Sequence, residues 1–390
     1  MSAGFVRPAP RPNRPDKWGR FGLGAFLNAG KDVTTKDDMT HPFTAFDDLK
    51  VVSSRQPDPE AMTLCAVGRN EMYFLPAFLE HYRKLGIEQF AILNDRSTDG
   101  TTEYLLSQPD VVVFESRYRY GDEVDLPAHM ADKMLAGRIL YVWRTIFYDR
   151  FAKNRWAVQV DLDEFIQLPP GKTFQDIARM LDREGSNLAY GVMLDVYPET
   201  LSDLAGMADQ QEIDPTARWY FDAVPHLKLR AGQFPKKLHP GARARLYHTY
   251  GVARPYQKPD APKPAYRIWW KRMKGSRIGT KIPSYNNIFK PVMAKWPDGA
   301  YFKNSHKTSV HGSDMILLPF QHYRFTGALY AKIDMAIREN SYSAGSQDHH
   351  LLSELLQRMK ARGNGTFLYR NSRVLNSFDD LSKAGVSIGL

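Results

Sequence analysis

From residue 61 onward, buried-strand patterns and helical patterns alternate, and this alternation limits the fold more than any other feature of the chain. AMTLCAVG (61–68) is a continuous apolar run of strand length. EMYFLPAFLEHYRKLG (71–86) places Phe74, Leu75, Phe78, Leu79, Tyr82 and Leu85 at helical spacing, with Pro76 in the first turns, where a helix tolerates it. QFAILN (89–94) reads as a second strand. DRSTDGTTEYLLSQ follows as a turn into a short helix capped by Asp99 or Gly100, with Glu103 near its third position. VVVFES (111–116) is a third strand, a helix is expected over residues 128–152, and WAVQV (156–160) is a fourth strand. This order implies an α/β fold, a mostly parallel twisted sheet with helices on both faces. Such sheets bind ligands beyond the carboxyl ends of their strands.

The fourth strand runs into DLDEF (161–165), which puts Asp161, Asp163 and Glu164 at its end. Like charges this close repel, and burying them is costly without compensation. A hard divalent cation is the simplest compensator, because such ions take carboxylate oxygens. GRNE (68–71) and NDRSTDG (94–100) fall at the same carboxyl edge.

The chain has 390 residues, with 43% hydrophobic and 12% aromatic, enough for one large domain or two modest ones. Its single cysteine, Cys65, excludes an internal disulfide and sits in an apolar strand pattern. No run reaches the roughly 18–20 apolar residues that a membrane span needs, and MILLPF (315–320) is far shorter. MSAGFVRPAPRPNRP lacks the apolar core of a secretion signal, so the expected location is cytoplasmic, with peripheral contact at the inner face of a membrane.

Net charge is +10, but Lys236 to Lys295 alone carries +14 and the rest of the chain −4. That concentration points to an anionic partner at a defined surface, against the plainer alternative of a solvated basic loop. Residues 1–60 read as a partly ordered extension. Their GRFGLG is no phosphate loop, since no strand precedes it and no Lys-Ser/Thr follows. NLAYGVMLDVY (187–197) reads as a further strand, the basic segment 236–295 as long loops, and GALYAKIDMAIRENSY and QDHHLLSELLQRMKAR as C-terminal helices.

Taken in order, GRNE, HYRKLGIEQF, ILNDRSTDGTTEYL and WAVQVDLDEFI resemble the family 2-like glycosyltransferases of the GT-A fold, in particular a bacterial subgroup. Weaker matches follow in MLDVYPE (193–199), WYFDA (219–223), FKPVMAKW (289–296), SHKTS (305–309) and LLPFQHYRF (317–325). The resemblance implies a GT-A domain over 61–325, with a nucleotide-sugar half (61–168) and an acceptor half (169–325), followed by a helical segment 326–390. It also implies inversion at the anomeric carbon as the expected stereochemistry, and a Mn²⁺ or Mg²⁺ ion acting as Lewis acid on the departing diphosphate.

Carried over residue by residue, the resemblance makes Asp163 a direct metal ligand. Asp161 reaches the ribose or the metal, and His322 is the distant third ligand, with His311 behind it. Glu164 orients its neighbours. Asp95 contacts the nucleobase or ribose, and Arg69, Asn70, Glu71 and Arg138 complete the donor-binding set. Asn94 and Arg96 depart from the commoner double aspartate and glycine, which leaves open a UDP-, GDP- or dTDP-sugar, with UDP favoured. Asp195, Asp222 and His306 are the candidate bases for an acceptor hydroxyl. The basic segment fits a glycan or lipid-linked acceptor of anionic character, and Trp269 and Trp270 beside Lys271 and Arg272 suit sugar faces or an interface.

Two other readings compete. A phosphohydrolase or phosphotransferase with an aspartate nucleophile wants Thr or Val where Phe165 stands, and it leaves NDRSTDG unexplained. A basic nucleic-acid- or glycan-binding protein without transferase activity would use the interleaved aromatics and cations, yet no nucleic-acid module is recognisable.

Overall fold

A computed structural model of the chain describes residues 48–126, 137–252, 287–339, 343–363 and 365–390. The strands run β1 (Lys50–Val51), β2 (Thr63–Gly68), β3 (Gln89–Asn94), β4 (Val111–Glu115), β5 (Trp156–Gln159), β6 (Glu164–Ile166) and β7 (Leu188–Asp195). They continue as β8 (Tyr220–Asp222), β9 (Leu227–Lys228), β10 (Lys236–Lys237), β11 (Phe289–Lys295), β12 (Phe302–Asn304), β13 (Lys307–Thr308), β14 (Leu317–His322) and β15 (Ser372–Val374). The helices are α1 (Leu75–Lys84), α2 (Thr101–Ser107), α3 (Ile139–Phe151), α4 (Phe174–Glu184), α5 (Leu201–Gly206), α6 (Ala242–Tyr250), α7 (Leu329–Glu339), α8 (Ser343–Ala361) and α9 (Phe378–Lys383).

Nine described strands form one sheet in the order β1-β4-β3-β2-β5-β11-β7-β14-β6. The block β4-β3-β2-β5 is parallel, with Thr63 opposite Gln89 on one side and opposite Ala157 on the other. Its strands are buried on both faces, which is why they read as unbroken apolar runs rather than alternating ones. Beyond β5 the sheet becomes mixed. β11 runs antiparallel between β5 and β7, β14 runs parallel to β7, and β6 closes the edge antiparallel to β14. The all-parallel continuation that the first four strands suggest therefore stops at β5.

The expected helix at 128–152 begins instead at Ile139, with 127–136 outside the described residues. Backbone bonds explain the late start. Val124 N donates to Gly137 O at 2.7 Å and Ile139 N to Asp122 O at 3.1 Å, so residues 122–124 hold 137–139 in a non-helical pairing. From Ile139 to Tyr148 every residue of α3 is buried. A helix apolar on all sides needs cover on all sides. Part of it comes from the β12–β13 ribbon, where Phe302 N donates to Thr145 Oγ1, and from Trp296, whose ring lies 4.9 Å from that of Tyr148.

A second, smaller core joins α6, α7 and α8 through Leu246, Tyr247, Ile333, Leu352, Leu355 and Met359. Tyr197 and Phe325, just past the ends of β7 and β14, tie this core to the sheet. The described residues lie in one compact unit, Thr44–Leu390. No helix of the described residues is long and apolar enough to cross a membrane.

Candidate functional site

The loops after β2 and β3 hold each other at the carboxyl edge of the parallel block. Asn70 N donates to Ser97 Oγ, Thr98 N to Asn70 Oδ1, Glu71 N to Thr101 Oγ1 and Met72 N to Asp99 Oδ2. Asp99 also accepts from Thr101 N, the first residue of α2, at 3.1 Å, while Gly100, in the left-handed region, is the helix's N-cap. Asn70 spends its side chain on this interlock and on Met335 Sδ, and it does not line the cleft. Gly68 permits a close approach, because a Cβ there would stand 2.3 Å from Leu162 Cδ1 of the DLDEF turn.

That turn is self-supported. Asp161 N donates to Glu164 Oε2 at 3.0 Å and Glu164 N returns a bond to Asp161 O at 3.0 Å. Glu164 is wholly buried, and its other oxygen accepts from Lys290 at 2.5 Å. The same lysine reaches Asp161 Oδ2 at 2.5 Å, while Arg144 takes Asp161 Oδ1 at 2.5 Å. Burial raises the Asp161 carboxyl, but Lys290 and Arg144 more than offset it and hold the group down at about 2. Burial pushes Glu164 up despite Lys290. Asp161 keeps 34% of its side-chain surface open to the cleft, so a ligand hydroxyl can still reach it.

Strand pairing fixes the rest of the centre. β14 ends at His322, which lies opposite Glu164 of β6 and opposite Asp195 of β7, so three ionisable side chains share one row. His322 Nδ1 donates to Asp195 Oδ1 at 2.5 Å, and Nε2 faces Asp163 Oδ2 across 3.6 Å. Burial lowers the His322 pKa, but Asp163 and Asp195 outweigh it and raise it overall. Asp163 is held well below the usual carboxylate range, with His322 and Lys332 overcoming its burial. Asp195 is itself clamped by Arg243 Nε at 2.9 Å and is likewise pulled down.

Around this centre lies a cleft of about 880 Å³, within the roughly 300–1,000 Å³ common for small-molecule sites. Of the residues expected from sequence, Arg69, Glu71, Asp95, Arg138, Asp161, Asp163, His306 and His322 line it. Asp95 is 3% exposed. Its Oδ2 accepts from Tyr120 N at 3.0 Å, while Oδ1 has no hydrogen-bond partner among the described residues. A buried carboxylate oxygen left open in a cleft is a ready acceptor for a ligand N–H or O–H. Burial raises its pKa, against the pull of Arg69, Arg96 and Arg119.

The candidate bases separate. His306 lines the cleft with Nδ1 donating to Phe289 O at 2.9 Å, which leaves Nε2 as its acceptor nitrogen. Burial, with Lys290 adding to it, pushes His306 down to about 3, so the ring is neutral. Asp195 sits behind His322. Asp222 lies outside the cleft lining, 2% exposed, with both oxygens on Arg245 and one also accepting from Tyr197. Its carboxylate serves Arg245 and Tyr197, so this candidate base is not among the residues that line the cleft. His311 packs its ring 5.0 Å from Phe234 and does not line the cleft either.

The basic segment divides in the same way. Arg243, Arg245 and Lys290 are buried counter-ions of Asp195, Asp222, Asp161 and Glu164, not members of a surface patch. Trp269, Trp270, Lys271 and Arg272 lie outside the described residues. Sequence reasoning missed Arg144 and Lys290, although each is a lone charge inside an apolar run, LYVWRTIFY and NIFKPVMA.

Among the described residues, no group of three or more His, Cys, Asp or Glu is placed to hold a metal ion together. The pair Asp163 and His322 does suit a cation, since a carboxylate backs the imidazole as metal-binding histidines require. Asp161 fits that role less well, because a cation already occupies each of its oxygens.

No family model matches the chain. Over 135 residues, 35% of the chain, it is 26% identical to a glycosyltransferase family 92 protein of Ricinus communis, a stretch that is 22% of that protein. Over 119 residues, 30% of the chain, it is 24% identical to a glycosyltransferase family 92 protein of Oryza sativa subsp. japonica, which is 18% of that one. The chain thus spans about a fifth of the length of these curated relatives. They carry the family 92 name, not the family 2-like name that the motifs suggested.

Proposed function

We propose that the chain is a glycosyltransferase with a GT-A-type fold that moves a sugar from a nucleotide-activated donor to a hydroxyl acceptor. The observation that carries this reading is the centre at the sheet's carboxyl edge. Asp163 faces His322, Asp195 backs the imidazole, and Asp161 is fixed beside them by two cations. The relatives' names support the transferase class.

In this reading Asp163 and His322 hold a Mg²⁺ or Mn²⁺ ion, whose remaining positions are left to diphosphate oxygens and water, a common arrangement for such ions. The ion, when bound, supplies Lewis-acid stabilisation of the departing nucleoside diphosphate. Asp161, ionised and still open to the cleft, accepts from ribose hydroxyls. Asp95 accepts from the base or ribose with its unpartnered oxygen, and Arg69 and Arg138 contribute positive charge to the same half. Inversion at the anomeric carbon, a UDP-sugar and an anionic glycan or lipid-linked acceptor complete the proposal. Of the three candidate bases, only His306 is placed in the cleft with a free acceptor nitrogen, so the acceptor's hydroxyl is assigned to it.

The phosphohydrolase alternative fares worse. A nucleophilic aspartate needs an oxygen free of cations, and Asp161 has none.

The test is a panel of UDP-, GDP- and dTDP-sugars with Mn²⁺, read by thermal stabilisation and slow donor hydrolysis. Metal-dependent stabilisation by one nucleotide class is the expected result. No response to any donor, together with tight salt-sensitive binding of DNA or RNA, would sink the reading.

A further inference from the structure

Helix α7 meets the turn after β2 along one face. Glu339 pairs with Arg69 at 2.9 Å, Met335 Sδ meets Asn70 Nδ2 at 3.3 Å, and Lys332 Nζ meets Glu71 at 2.7 and 3.0 Å. Positions 332, 335 and 339 are three and four residues apart, so they share one helical stripe. The stripe reads residues 69, 70 and 71 in reverse order, each from about one turn further along. Helix α7 is therefore registered against the β2 loop and does not lie on it loosely.

This register delivers one amine to the metal-ligating carboxylate. Lys332 Nζ stands 3.9 Å from Asp163 Oδ2 and 4.7 Å from the Phe74 ring centroid, and its side chain is 15% exposed. The other cations near the centre have different duties. Arg144 and Lys290 hold Asp161, Lys290 also neutralises the wholly buried Glu164, and Arg243 clamps Asp195. Removing any of these from its carboxylate would strand a buried charge. Lys290 also bridges two carboxylates and lines the cleft, but Lys332 holds its second carboxylate, Asp163, at 3.9 Å where Lys290 holds Asp161 at 2.5 Å, and its side chain is the more exposed.

We propose that Lys332 is a ligand of the donor's diphosphate, held ready by Glu71 beside the Asp163–His322 pair. The inference rests on the transferase reading above and adds to it a phosphate ligand from a segment beyond residue 325. When a cation takes Asp163, it repels the nearby ammonium. A diphosphate oxygen then offers Lys332 a charge-assisted partner in the same space. No covalent step is involved. Glu71 acts here as a positioning residue, through its two bonds to the lysine.

The test uses the full chain with Mn²⁺ and compares wild type, Lys332→Met and Lys332→Arg. Affinities for UDP, GDP and dTDP come from calorimetry, and those for the matching nucleosides from saturation-transfer NMR. The expected result is a loss of about 10- to 100-fold in nucleoside diphosphate affinity for Lys332→Met, the range for one charge-assisted bond. Nucleoside affinity should stay within about twofold, and Lys332→Arg should recover most of the loss. Wild-type diphosphate affinity in Lys332→Met overturns the inference and leaves the transferase reading standing. An equal loss for nucleoside and diphosphate also overturns it, since that marks a purely structural lysine. A wild-type protein that binds none of the three diphosphates overturns the transferase reading and this inference together.

Discussion

Asp163 Oδ2 faces His322 Nε2 across 3.6 Å at the end of β14, and Asp195 holds the ring's other nitrogen from behind. The tautomer follows from that second bond: Nδ1 donates to Asp195, so Nε2 is the nitrogen that can ligate. In the proposed site Asp195 would therefore act on a metal only through His322. Asp195→Asn should weaken Mn²⁺-dependent nucleotide binding by about 10- to 100-fold, the usual effect of losing such a partner. Metal-free nucleotide binding should change little. Titration calorimetry with and without Mn²⁺ checks this, and equal losses in both conditions would count against the metal assignment.

Lys290 bridges Asp161 and the wholly buried Glu164. Lys290→Met leaves Glu164 without its counter-ion, which should cost about 3–5 kcal/mol in urea unfolding. Adding Glu164→Gln removes the stranded charge, so the double variant should be more stable than Lys290→Met alone. Additive losses would show that the pair is not coupled.

Parallel strands buried on both faces announce themselves as apolar runs, so β2 to β5 were legible from sequence. Beyond β5, β7 and the helices α7 and α8 were legible too, but the order of the remaining strands was not. β11 and β14 appeared only as motifs, FKPVMAKW and LLPFQHYRF, because their places depend on pairing with distant strands and not on local periodicity. The same limit applies at the site. Asp161, Asp163 and His322 could be proposed from motifs, whereas Arg243, Arg245 and Lys290 were counted into a charge excess. A buried counter-ion and a surface lysine look alike in a tally of charges. Only the fold shows that each has a carboxylate opposite it.

Asp222 separates a structural charge from a catalytic one. With both oxygens on Arg245 and 2% exposure, it holds α6 to β8. Asp222→Asn should cost about 3–5 kcal/mol in stability, because Arg245 is left buried without its anion. At a temperature where the variant stays folded, donor turnover should remain within about threefold of wild type, a change of under 1 kcal/mol in the barrier. A loss of several orders of magnitude in turnover, with stability unchanged, would restore Asp222 as the base.

His81 makes acid stability testable away from the cleft. Its Nε2 donates to Ile166 O at 2.7 Å, and burial pushes its pKa from 6.5 to about 4, with the Ile166 carbonyl opposing and Lys84 adding to the fall. Between these values the unfolded chain binds a proton that the folded chain does not. Stability therefore rises with pH across this window; His81's share is whole above about pH 6.5 and is lost as pH falls towards 4. His226, also buried and neutral, titrates in the same direction, so the wild-type curve alone does not isolate one residue. Comparison with His81→Gln does, since glutamine keeps an N–H for Ile166 O but carries no titrating group. Urea unfolding at pH 7.5 and 4.5 should show wild type losing about 2 kcal/mol more than the variant. Parallel losses in the two proteins would mean that His81 is not held neutral by the fold.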